Sequence, residues 1–247
     1  MVTHHGFALH PDDSIEIHSS SQRTAAPKGG IQVLFQDESL VGILKPEGLL
    51  SVGTQDVKLK HALAMVRESL GPNQKLWPVH RLDRETSGVL LFARSREVCD
   101  AVKKSWQEVT KTYSVVVEGH PAPPEGVINQ PLYDGKNLMV KVGSHSEAKE
   151  AITRYKTLET GPRRTLLEVH LDTGRRHQIR AHMSWLGHTV VGDTRYGKKD
   201  SRMALHARRL CFQHPITGKE IVLEAKTPAV FMKQLASVQS SRTRSPK

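Results

Sequence analysis

Five ionisable side chains fall within six residues, His80, Arg81, Asp83, Arg84 and Glu85, followed by Thr86-Ser87-Gly88 and an apolar run from Val89 to Ala93. Ions placed just before a buried strand sit at a sheet edge or loop, where active sites are often built. If either flanking arginine lies close, Asp83 is held ionised, suited to attack or charge stabilisation rather than acid catalysis. The plainer reading is a solvated charged loop. Asp83 and Glu85 do not make a glycosidase pair, because i, i+2 carboxylates on extended chain point to opposite sides. Ser87 lacks the Gly-x-Ser-x-Gly turn that arms a hydrolase nucleophile. A second cluster fills TGRRHQIRAHMSWLGHTVVGDTRYG, residues 173–197. Its basic turn Thr173-Gly174-Arg175-Arg176 precedes a short helix, an arrangement that accepts anions. On that helix His177 and Arg180 share one side, facing away from much of the stripe of Ile179, His182, Met183 and Leu186. Zinc is the rival use for His177, His182 and His188, but spacings of five and six do not put them on one face and no cysteine is near. No metal site is expected, and His182 is read as a hydrogen-bonded structural residue. No GxxxxGK[ST], GxGxxG or HExxH occurs, so the usual nucleotide-cofactor and zinc-protease signals are absent.

The elements that must hold these clusters mix strands and helices. IQVLFQ (31–36) and LVGIL (40–44), split by Asp37-Glu38-Ser39, predict a hairpin. Leu59, Ala62, Leu63, Val66 and Leu70 follow helical spacing, with Gly71 as stop. Val89 to Ala93 is long enough for a buried strand. A second helix follows Ser95, with Val98, Ala101, Val102, Trp106 and Val109 on one face, and a third covers His177 to Leu186. TYSVVVEG (112–119), TLLEVHL (165–171), ALHARRLCF (204–212) and EIVLEA (220–225) predict further strands. Several strands in succession with few helices favour an α+β domain with a largely antiparallel or mixed sheet.

The chain has 247 residues, with 36 Lys+Arg against 25 Asp+Glu and a formal net charge of +11. Arg154 to His214 holds thirteen Lys/Arg and five Asp/Glu, an excess of +8. Such clustering is what a groove that neutralises phosphates needs, and it points to a nucleic-acid partner. Aromatic residues are only 5%, too few for a surface built mainly of base-stacking platforms. No stretch approaches the roughly 18 apolar residues of a membrane span, and the N-terminus has no apolar signal core. Two cysteines, Cys99 and Cys211, imply neither a disulfide framework nor a redox pair, so the cytoplasm is the expected compartment. Residues 1–30 and 236–247 read as polar tails, with one catalytic domain at 31–235.

Taken together, these residues resemble the RluA family of RNA pseudouridine synthases. The resemblance rests on His80-Arg81-Leu82-Asp83 with Thr86-Ser87-Gly88, and on Gly174-Arg175-Arg176-His177-Gln178-Ile179-Arg180 with His182. It continues through Gly187-His188, Val191-Gly192-Asp193 and Tyr196-Gly197. Lys45-Pro46-x-Gly48, Lys111-x-Tyr113, Leu205-His206-Ala207 and His214-Pro215 support it, over roughly residues 31–228. Thr189 stands where the family usually has proline. The residues ahead of Ile31 leave no room for the small RNA-binding domain that many members carry, so substrate selection is expected to use the core and tails.

The resemblance implies a bent, largely antiparallel sheet with a central cleft, and isomerisation of uridine to pseudouridine in structured ribosomal or transfer RNA, without cofactor. Asp83 matches the catalytic aspartate; attack on the sugar, attack on the base and removal of a sugar proton all remain open for it. Tyr113 matches the active-site tyrosine, stacking on the uracil or accepting a proton, and Arg180 matches the basic residue that pairs with the aspartate. Ile179 would pack against the base, and His177 belongs to the same substrate-binding set. Arg81 would fill the space vacated by the flipped base, while Arg84, Arg175 and Arg176 hold the RNA backbone. A monomer with no obligate protein partner is the simplest expectation. Two rivals are a non-catalytic RNA-binding assembly factor and, more distantly, a metal-dependent hydrolase using the histidines.

Overall fold

The computed structural model describes residues 30–53, 61–71, 73–135, 137 and 139–238. Most of the two expected tails, and Leu59 at the start of the first expected helix, lie outside these residues.

Asp37 makes the first reversal of the chain: its Oδ1 accepts the backbone N–H of Ser39 and of Leu40, each at 2.7 Å. The strands it joins, β1 (Gln32–Gln36) and β2 (Leu40–Lys45), pair antiparallel as the expected hairpin. Helix α1 (Ala62–Leu70) starts at His61, whose ring accepts the Ala64 N–H, and stops at Gly71. The short β3 (Trp77–Pro78) leads to the loop carrying Asp83 and then to β4 (Ser87–Ala93), buried along its whole length.

The second helix departs from its expected length. α2 (Arg96–Lys104) ends two residues before Trp106, and Ser105 to Glu108 form turns that carry Val109 into the next strand. Lys103-Lys104-Ser105 offers no apolar continuation of the helix stripe, so Val98, Cys99 and Val102 are the buried residues of α2, while Trp106, half-buried in the turn that follows, packs against the same core. Strand β5 (Thr110–Glu118) follows. Besides β3, four more strands were not expected: β6 (Glu125–Asn129), β7 (Leu132–Asp134), β8 (Val140–Val142) and β9 (Ile152–Thr160). The chain closes with β10 (Arg164–Leu171), α3 (Gln178–Trp185), β11 (Leu205–Gln213), β12 (Glu220–Glu224) and α4 (Val230–Ala236).

Ten strands form one mixed sheet in the order β1-β2-β4-β11-β5-β10-β9-β6, with β12 added to β11 and β3 to β4; β7 and β8 pair separately. All its named pairs are antiparallel except β4 with β11, which run parallel through His206↔Ser87 and Ala207↔Gly88. Alternate residues of each strand feed opposite faces. On one face α1 covers the β2–β4 half, through Val41, Ile43, Leu90 and Phe92, and α3 covers the β5–β10 half, through Val115, Val117, Leu167 and Val169. On the other face lie α2, against Val89, Leu91 and Leu210, and α4, against Val116 and Leu166. Tyr113 packs against both front clusters, at the seam between the halves. One register row crosses that seam: Lys45, Gly88, Ala207, Tyr113 and Val169 are successive partners on five strands.

Candidate active site

The Asp83 loop is held by the segment after β2. Lys45, fully buried, donates its Nζ to the carbonyls of Pro46 at 2.9 Å, Leu49 at 2.7 Å and Arg84 at 3.1 Å. Gly48 N–H donates to the Arg84 carbonyl at 2.8 Å. Ser51 exchanges two bonds with Leu82, donating its hydroxyl to the carbonyl at 2.8 Å and accepting the N–H at 3.0 Å. The turn closes where Thr86 N–H reaches the Asp83 carbonyl at 3.1 Å. That turn sends Arg84 and Glu85 outward, and Arg81 is exposed as well. Neither flanking arginine therefore supplies the cation beside Asp83; Arg84 donates its Nε to the Gly48 carbonyl instead.

The cation comes from α3. Arg180 donates Nη1 to Asp83 Oδ2 at 2.9 Å. Its other edge is clamped by Asp193, with Nε to Oδ2 at 2.7 Å and Nη2 to Oδ1 at 2.9 Å. Asp193 Oδ1 also accepts the backbone N–H of Arg195 and Tyr196. Burial opposes both charges, yet the paired bonds outweigh it: Arg180 is pushed above its ordinary value and Asp193 below. Arg180 is thus a fixed cation with one edge braced and the other aimed. Among the described residues nothing bonds Asp83 Oδ1, which is the oxygen left for substrate.

His177 is not the first residue of α3 but the one before it, in the left-handed region at φ 51. A non-glycine residue there is strained by about 1 kcal/mol or more, a conformation that persists where surroundings impose it. The bend places Nε2 3.8 Å from Asp83 Oδ2 and Nδ1 3.1 Å from the Tyr196 hydroxyl. Burial lowers its pKa, Asp83 opposing and Arg180, Arg176 and Arg195 assisting, so the ring is neutral at neutral pH.

Tyr113 stands on β5 across from Ala207 and lines the same cavity as Asp83, His177, Ile179 and Arg180. Leu171 and Leu205 complete its apolar wall; the cavity measures about 70 Å³. Burial first, and the charge of Asp83 second, raise the Tyr113 pKa, so its phenol stays protonated. A cleft of about 890 Å³ extends outward from this cavity, lined by Arg81, Arg84, Arg175, Arg176 and Arg195. Four of these are partly committed: Arg84 to the Gly48 carbonyl, Arg175 through Nε to the Glu150 carbonyl at 2.9 Å, Arg176 to Asp134 Oδ1 at 2.6 Å, and Arg195 through Nη1 to the Asn137 carbonyl at 3.4 Å. The three rival histidines are spread over separate partners. His182 bridges Thr153 at 2.8 Å and the Gln130 carbonyl at 3.0 Å, and His188 meets the Glu118 carbonyl at 2.8 Å.

The site is thus a carboxylate–guanidinium–carboxylate chain beside a tyrosine, at the floor of a basic cleft. The model of the RNA pseudouridylate synthase family matches residues 39–185. The chain is 38% identical over 223 residues to a tRNA pseudouridine synthase C of Vibrio parahaemolyticus, covering 79% of this chain and 89% of that one. It is 36% identical over 193 residues to a dual-specificity RNA pseudouridine synthase RluA of Vibrio cholerae, covering 75% and 78%. Among solved structures it is similar to human RNA pseudouridylate synthase domain containing 4, at a TM-score of 0.68 and 26% identity, over 82% of this chain and 91% of that one. The chain belongs to the RluA family of RNA pseudouridine synthases, which are isomerases.

Proposed function

We propose that this enzyme isomerises specific uridines to pseudouridine in structured ribosomal or transfer RNA, with Asp83 as the catalytic carboxylate. The observation that carries the reading is the Arg180 bridge, 2.9 Å from Asp83 on one side and 2.7 Å from Asp193 on the other, in a cavity shared with Tyr113 and Ile179. Relatives named for transfer RNA, for the ribosomal large subunit and for dual specificity support both substrate classes. The target base leaves its stack to enter the cavity, at a cost of a few kcal/mol that contacts to the cleft arginines offset. There the N1–C1′ bond breaks, the uracil turns, and C5–C1′ forms; the C5 proton is lost and N1 ends protonated, so the net change consumes nothing. Attack on the sugar, attack on the ring and removal of a sugar proton would each begin at Asp83 Oδ1. Ile179, Leu171 and Leu205 keep the freed uracil in place, while Tyr113 lies at the base and His177 stands beside the carboxylate. Arg81 fills the vacated space in the RNA, and Arg84, Arg175 and Arg176 hold its backbone. The catalytic domain is residues 31–235, working as a cytoplasmic monomer without a cofactor.

The test maps pseudouridine across all RNA from cells lacking the protein, then after restoring the wild-type chain or Asp83→Asn. Sites that vanish and return only with the wild type name the substrate. An active Asp83→Asn enzyme, or no change at any site, overturns the reading; RNA co-purification without any change leaves an RNA-binding protein.

A further inference from the structure

The outer cleft contains a wall that none of the chemistry above uses. At the end away from Ile179, the cleft is lined by His80, Lys103, Trp106 and Gly174. His80 stacks on the Trp106 ring, with centroids 4.9 Å apart. The Leu91 N–H donates to His80 Nε2 at 3.1 Å, which puts the proton of the neutral ring on Nδ1. The Trp106 indole N–H and the Lys103 ammonium have no partner among the described residues, nor has the Gly174 N–H. Opposite Trp106, a Cβ on Gly174 would lie 3.9 Å from Nε1 and meet nothing else within 4 Å. A glycine there keeps a notch open between the indole and the loop backbone. The indole N–H, the Gly174 N–H, the His80 Nδ1–H and the Lys103 ammonium are all donors, and Lys111, whose Nζ donates to the Trp106 carbonyl at 3.1 Å, adds a second cation to this wall. That chemistry fits an anion with several acceptor oxygens.

We propose that this notch is a second subsite of the cleft, binding a phosphate of the RNA strand that flanks the target uridine. The phosphate oxygens accept from the Trp106 indole and the Gly174 backbone, and Lys103 neutralises their charge. The proposal rests on the RNA-modifying reading of the cleft.

The experiment measures affinity for a short single-stranded oligouridine against salt, in the Asp83→Asn background so that no turnover intervenes. Lys103→Gln is expected to weaken binding about threefold to tenfold and to reduce the log–log salt slope by about 1. Trp106→Phe keeps the ring and removes the donor; it is expected to lower affinity by a similar factor with the slope unchanged, and to abolish quenching of indole emission by the RNA. Gly174→Ala adds a methyl 3.9 Å from the indole nitrogen, which narrows the notch without a steric clash in the folded chain, and is expected to weaken binding at least as much. In otherwise wild-type enzyme the same changes raise KM for the mapped RNA more than they lower kcat. Failure of oligouridine to bind the parent, or variants that bind with the parent's affinity and slope, overturns the subsite. If instead the wild-type chain restores no pseudouridine in cells, the catalytic reading fails, whatever the notch binds.

Discussion

At the scale of single residues, the proposed function divides the site into groups that would meet the base and groups that hold them. Asp193 is of the second kind. Its side chain is fully buried and Arg180 is nearly so, which makes their pairing dependent on both partners. Asp193→Asn removes one charge from a buried pair and is expected to lower stability by about 3 kcal/mol, read from denaturant unfolding. Because Asp193 titrates below its ordinary 3.8, its contribution is complete above that pH and is lost as pH falls through the lower folded value. In the folded variant kcat is expected to fall about 10²-fold with a smaller change in KM, since the guanidinium loses its aim. Tyr113→Phe tests the phenol: kcat is expected to fall about 10²-fold while RNA affinity stays within a few-fold, and full activity would leave the ring only stacking. Asp83, Tyr113 and Arg180 are legible in the sequence because each lies in a motif that carries a resemblance. Asp193 lies in one as well, but its role is a contact across thirteen residues of chain that no local spacing announces. The pairing of Asp83 with Arg180, 97 residues on, displaced the flanking arginines for the same reason.

At the scale of elements, the Asp83 loop depends on Lys45. Burial brings its ammonium from 10.5 down to about 8, with Glu85, Asp83 and Glu47 only partly opposing. The protonated group has three hydrogens for three carbonyls; the neutral amine has two. Activity is therefore expected to decline as pH rises through about 8. The sign for stability is opposite, since between about 8 and 10.5 the unfolded chain binds more of this proton, so Lys45 titration raises stability there. A kcat–pH profile beside unfolding curves at the same pH values separates the two, and Lys45→Met should remove this limb of the profile at a large loss of kcat. Gly88 marks the other dependence. A Cβ there would lie 2.2 Å from the Ala207 carbonyl oxygen, with φ at +121. Gly88→Ala is expected to cost more than about 4 kcal/mol, seen as loss of the cooperative unfolding transition. Apolar runs made β1, β2, β4, β5, β10, β11 and β12 readable. β9 was not, because only Tyr155 adds apolar core on its inner face while Arg154 and Lys156 are exposed. The second helix was read too long because Trp106 and Val109 continue the spacing after the chain has turned.

At the scale of the molecule, a charge of +11 makes RNA binding a salt-dependent quantity. Affinity is expected to fall linearly on a log–log plot against salt, and Asp83→Asn, which leaves the cleft cations in place, should keep the wild-type slope. The α+β architecture, with its largely antiparallel sheet, was legible from the order of apolar segments; the crossing of strands was not, because pairing between distant segments leaves no periodic mark. One crossing matters beyond the finished enzyme. β4 and β5 are neighbours in sequence, yet β11 lies between them, so the middle of the sheet is filled by residues 205–213. During synthesis the ribosome releases both flanking strands long before their shared partner exists. Over more than ninety residues of elongation the nascent chain carries two unsatisfied inner edges, the feature that invites wrong pairing between chains. A polypeptide ended short of β11 is thus not a smaller enzyme but a sheet with its keystone missing, and its fate belongs to chaperones and proteases.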